Sequence, residues 1–149
     1  MAAFDRNFTF FTIPAAFILL FFPKVYSAIL GRKYFNQADP RKYQPAVSKA
    51  DDLDYKTKNR ILRAEAAVAN GLETISLYAA AVVAVNAADV DPKTANALSI
   101  VYLGTRVAYN IVYVILQDDP RWGMVRSVTW MGGIWIILAM FLLAGAAVY

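Results

Sequence analysis

Apolar residues gather into four long runs along this chain, at residues 8–30, 64–88, 94–116 and 126–149. A run of about 17–25 apolar residues spans a bilayer as a helix. The spacing therefore predicts four membrane-crossing helices. Pro14 and Pro23 fall inside the first run. They argue against a helix in water there, but membrane helices tolerate proline with local kinks. The first run does not read as a signal peptide, because Asp5 and Arg6 precede it and no small-x-small cleavage site follows.

Polar segments separate the runs. Residues 31–63 form a long linker with Pro40, Pro45 and the acidic cluster Asp51, Asp52 and Asp54. Residues 86–93 hold a short turn with the sequence D-V-D-P. Residues 117–121 hold another, where Asp118 or Asp119 is expected to start the next helix. No internal repeat or low-complexity tract interrupts the pattern. The expected fold is all-α, a single integral membrane four-helix bundle over residues 1–149.

Composition agrees. The 149 residues are 59% hydrophobic and 17% charged, against about 45–50% and 25% in soluble proteins. Mean hydropathy is +0.42. This argues against disorder and against a water-soluble globule. The chain has no Cys and no His. Disulfide frameworks, cysteine nucleophiles, haem held by His or Cys, Ser-His-Asp triads and the common zinc sites are all excluded, and no metal is expected.

The net charge of +4 is distributed unevenly. The first linker holds Arg32, Lys33, Arg41, Lys42, Lys49, Lys56, Lys58, Arg60 and Arg63; Arg121 and Arg126 follow the third run. The opposite side holds only Arg6 and Lys93. The positive-inside rule then places loop 31–63 in the cytoplasm and both termini on the far side. Anionic lipid explains the basic linker, so no nucleic acid is needed to account for the charge. No organelle address beyond the membrane is legible; an internal membrane such as the endoplasmic reticulum is expected if the host is eukaryotic.

Polar residues within the runs need a partner or a task, since a charge in hydrocarbon costs at least ~2.5 kcal/mol. On the second run Arg63, Asn70, Glu73 and Leu77 share one helical stripe. On the third, Tyr102, Arg106, Tyr109, Asn110 and Tyr113 form another. Glu73 lies ~13 Å and Arg106 ~15 Å from the same cytoplasmic end at 1.5 Å per residue. Matching depth predicts a Glu73–Arg106 ion pair, with Asn70 and Tyr109 one turn nearer the cytosol. Arg63, Tyr113 and Arg126 would lie at the mouth of this net-basic cleft. The pair reads equally as a link between helices or as part of a ligand site.

The stretch NRILRAEAAVANGLETISLY, with Arg63, Asn70 and Glu73 in register, resembles the second-helix signature of the MAPEG superfamily (membrane-associated proteins in eicosanoid and glutathione metabolism). Arg60 and the turn GRKYFNQAD resemble its microsomal glutathione transferase branch. YLGTRVAYNIVY is similar to the third helix, through Arg106, Tyr109 and Tyr113, and RSVTWMGG, from Arg126, to the start of the fourth. The resemblance implies a homotrimer with glutathione as cosubstrate between adjacent subunits near the cytosolic face. It implies glutathione contacts from Arg60, Arg63, Asn70, Glu73, Arg106, Tyr109 and Tyr113. It also implies that an arginine, Arg126 or alternatively Arg121, stabilises the thiolate for attack on a lipophilic electrophile or hydroperoxide. The chain departs from the pattern at Ala66, where well-characterised glutathione users often carry a second arginine, and at Val68, where they often carry a polar residue. A non-catalytic lipid-binding or scaffold protein of the same fold is the alternative. A small transporter is disfavoured, because no run shows the paired Gly/Pro interruptions of transporter half-helices.

Overall fold

Two of the long helices start at an aspartate cap that their own sequence supplies. Asp54 accepts a hydrogen bond from the Thr57 backbone N–H at 3.0 Å and starts one helix. Asp91 accepts from the Thr94 N–H at 3.0 Å and starts the next, with Pro92 in its first turn. The computed structural model describes residues 6–149, so Asp5 lies outside the described residues. It contains α1 (Thr9–Leu30), a short α2 (Tyr43–Ser48), α3 (Tyr55–Ala87), α4 (Pro92–Val114) and α5 (Trp122–Val148). No strand occurs among the described residues. The four long helices are apolar and long enough to cross a membrane, and they pack as a four-helix bundle.

Three features differ from the sequence expectation. First, α3 begins at Tyr55, well before the apolar run, and has 33 residues. At 1.5 Å per residue it is ~50 Å long, against a hydrocarbon core of ~30 Å. Second, the long linker contains α2, whose Tyr43 and Val47 are buried against Ile61 of α3. The Tyr43 hydroxyl donates to the Ser27 carbonyl at 2.7 Å, and a side chain at Gly31 would collide with that phenol. Third, neither Asp118 nor Asp119 caps α5. Asp119 accepts instead from the Arg121 backbone N–H at 3.0 Å and from its guanidinium.

Proline in α1 creates a specific demand. Pro23 has no N–H, so the Leu19 carbonyl loses its intrahelical donor. The Asn110 side-chain amide on α4 donates to that carbonyl at 3.2 Å. Nearby, Lys24 of α1 pairs with the buried Glu65 of α3 at 2.7 Å. Ser27 donates to the same carboxylate at 2.6 Å. This ion pair links α1 to α3 rather than α3 to α4.

Helices α3 and α4 run antiparallel in a fixed register. Arg63 meets Val114, Asn70 meets Tyr109, Thr74 meets Arg106, and Tyr78 stacks on Tyr102 with ring centroids 3.8 Å apart. Ile137, Met140 and Ala144 of α5 pack against the Tyr78–Tyr102 layer.

Candidate functional site

The α3 residues that face α4 follow helical spacing, and they put Asn70 against Tyr109. The Asn70 amide donates to the Tyr109 hydroxyl at 2.6 Å. Having accepted this bond, the Tyr109 hydroxyl still has its own proton to donate. No acceptor among the described residues takes it.

α5 closes the other side. Its second turn brings Arg126 over the ring of Tyr113, 5.1 Å from the centroid. Arg126 makes a long contact of 3.4 Å to Ser127 Oγ. No carboxylate among the described residues pairs with it. Asn70, Tyr109, Arg126, Ser127, Trp130 and Met131 together line a cavity of about 360 Å³. One wall is polar and cationic, and the other is an indole and a thioether. Such a cavity suits a small anionic ligand beside an apolar one.

The remaining candidate residues divide sharply. Arg106 is buried, with its guanidinium 5.0 Å from the Tyr109 ring centroid and 5.8 Å from that of Tyr102. Its Nη1 donates to Thr74 Oγ1 at 3.0 Å, while Nε and Nη2 have no partner. Arg106 therefore stands behind Tyr109 as a second cation without a carboxylate. Arg60 and Arg63 are both held by Asp118, with Arg60 Nε 2.9 Å from its carboxylate. Arg121 is paired with Asp119 at 2.7 Å and its side chain is 90% exposed. Hydrogen bonds from Arg121 hold the Asp119 carboxyl below the ordinary carboxylate range.

The family model of the MAPEG family matches residues 9–146. The chain belongs to the MAPEG family. No match to the chain was found among curated proteins or solved structures. Membership supports a membrane activity in glutathione or eicosanoid metabolism in general.

Within this MAPEG chain, one sequence expectation is overturned. Glu73 and Arg106 do not pair; Glu73 is exposed on the protein surface and makes no ion pair among the described residues. Thr74, one residue later and about 100° further round the helix, takes the place facing Arg106. Asn110 likewise leaves the expected cleft to serve Leu19 of α1. Two residues that matter escaped the sequence reading. Glu65 was masked by its alanine neighbours, although Lys24 inside the first run signalled that an acid should face it. Asp118 read as a helix start, although its position beside a cation-rich α3 fits an ion-pair role.

Proposed function

We propose that this MAPEG protein is a membrane-embedded glutathione-dependent transferase or peroxidase acting on lipophilic electrophiles. The observation that carries the reading is Arg126: a cation without a carboxylate partner, lining one cavity with Asn70 and Tyr109. An unpaired guanidinium attracts a thiolate. Lowering a thiol from its free pKa of about 8.5 by two units takes ~2.7 kcal/mol, within the reach of a partly desolvated arginine.

In this reading glutathione brings the nucleophile, so the lack of Cys is no obstacle. Its thiol proton leaves to solvent, and Arg126 holds the thiolate. The Tyr109 hydroxyl, with its free proton, donates to the anion or to the oxygen of an acceptor. The sulfur then forms a bond to an electrophilic carbon as the leaving group departs with its electron pair, or to a peroxide oxygen as the O–O bond breaks. In the latter case the alkoxide takes up a proton, and a second glutathione reduces the sulfenic acid to the disulfide with release of water. Trp130 and Met131 offer the apolar wall for the second substrate.

Glu73 fits the same scheme in a homotrimer. It lies one turn from Asn70 and is exposed along an apolar span. A carboxylate there is costly against lipid. An adjacent subunit, with the glutathione ammonium between the two, would satisfy it. The cavity would open to the cytoplasm, with both termini on the other side.

A second reading, a non-catalytic lipid-binding or scaffold protein, draws on one observation. Arg60 and Arg63 are engaged by Asp118, and positions 66 and 68 carry only Ala and Val. The detergent-purified protein and Arg126→Ala, assayed with glutathione and a panel of electrophiles, separate the two. Conjugation lost in Arg126→Ala supports the enzyme. No glutathione binding at millimolar concentration would leave the scaffold.

A further inference from the structure

The carboxylate of Asp118 gathers three cations from one helix. Arg60 reaches it through Nε at 2.9 Å and through Nη2 at 2.5 Å. Arg63 donates to its other oxygen. Lys56 stands 3.4 Å away. Arg63 also donates to two main-chain carbonyls, Val114 at 3.2 Å and Gln117 at 3.3 Å. These are carbonyls at the C-terminal end of α4 and in the turn after it, where helical donors run out. The α4–α5 connection is thus fastened to α3 at one side chain and two backbone positions.

That fastening has a direct geometric consequence. Arg63 and Asn70 are two helical turns apart on the same stripe of α3. Asn70 sets one wall of the cavity. The turn that Arg63 holds leads within a few residues into α5, whose second turn carries Arg126. One rigid helix therefore fixes both Asn70 and the start of α5. Backbone bonds continue the chain of restraint: Trp122 N–H donates to the Asp119 carbonyl at 3.1 Å and Gly123 N–H to that of Pro120 at 3.0 Å. The clasp also neutralises part of the charge of Arg60 and Arg63, which leaves Arg126 as the unpaired cation at the cavity.

We propose that Asp118 is a positioning residue for the thiolate site: its clasp by Arg60 and Arg63 seats α5 so that Arg126 faces Asn70 and Tyr109. The proposal rests on the glutathione reading for its catalytic consequence, but the seating of α5 does not.

The test uses the full-length protein in detergent or bilayer nanodiscs, with Asp118→Asn, Asp118→Glu and Arg60→Gln. Arg60→Gln keeps the Arg63 contact and guards against a variant that fails to fold. Two readouts are taken. Hydrogen exchange of the backbone at residues 119–127 is expected to speed up about tenfold in Asp118→Asn while α1 is unchanged, with Asp118→Glu restoring protection. The ultraviolet titration of bound glutathione is expected to give a thiol pKa raised by about one unit, about threefold less thiolate at neutral pH, with glutathione affinity within about threefold of the original. Unchanged exchange in both Asp118→Asn and Arg60→Gln overturns the proposal. So does markedly tighter glutathione binding by Asp118→Asn, which would make Asp118 a competitor for the arginines. If the unaltered protein binds no glutathione, the functional reading fails alone, and the exchange data still decide whether Asp118 seats α5.

Discussion

Arg106 Nη1 donates to Thr74 Oγ1 at 3.0 Å, and the carboxylate next to Thr74 in sequence, Glu73, faces away. A buried guanidinium is thus held by a neutral hydroxyl and two tyrosine rings. Removing that hydroxyl leaves a buried charged donor without its partner, which costs about 1–3 kcal/mol. Thr74→Val is therefore expected to lower unfolding stability by that amount in detergent. Glu73→Gln is expected to leave the unfolding of the isolated subunit unchanged. Denaturant titration of both variants checks this.

Glu73 is predicted to act between subunits. Glu73→Gln should weaken glutathione binding about tenfold, a loss of ~1.4 kcal/mol, and reduce the trimer fraction seen by native mass spectrometry. Calorimetry reads the first and mass spectrometry the second.

The Asn110–Leu19 bond makes a different prediction. Asn110→Leu leaves the carbonyl released by Pro23 without a donor in the apolar interior. Interhelical hydrogen bonds in membranes are worth about 0.6–1.7 kcal/mol. The variant should lose that much stability. The double variant Pro23→Ala with Asn110→Leu should lose less than Asn110→Leu alone, because an alanine at position 23 supplies the missing N–H and restores the bond within α1.

The two candidate arginines at the start of α5 are expected to separate cleanly. Arg126→Ala should reduce conjugation at neutral pH by roughly tenfold or more, through a thiol pKa raised by about two units to the free value. Arg121→Ala removes an exposed ion pair with Asp119, an interaction worth about 0–1 kcal/mol. Its activity should stay within about threefold. Rate against pH for both variants reads the outcome.

The sequence was most informative where depth alone decides. Apolar run length located four membrane helices, and counting residues from the helix ends placed Asn70 level with Tyr109 and Glu73 level with Arg106, where the structure has its neighbour Thr74. Rotation about the helix axis was not legible to the same degree. One residue turns a helix by about 100°, so Glu73 and Thr74 share a depth while facing different neighbours. The partners of Asn110 and Glu65 depend on α1, whose two prolines do not reveal which helix packs against it. Asp118 was obscured because an aspartate before a helix reads first as a cap, and only the folded chain brings Arg60 and Arg63 beside it. The cavity itself needed three helices in place.

The thiolate role of Arg126 is tested most directly by an ultraviolet difference spectrum of the purified protein with glutathione, recorded across pH and beside Arg126→Ala. The expected result is a thiolate band at neutral pH in the unaltered protein, titrating well below the pKa of the free thiol, and its loss in Arg126→Ala. Bound glutathione that titrates like the free thiol, or an undiminished band in Arg126→Ala, would contradict it.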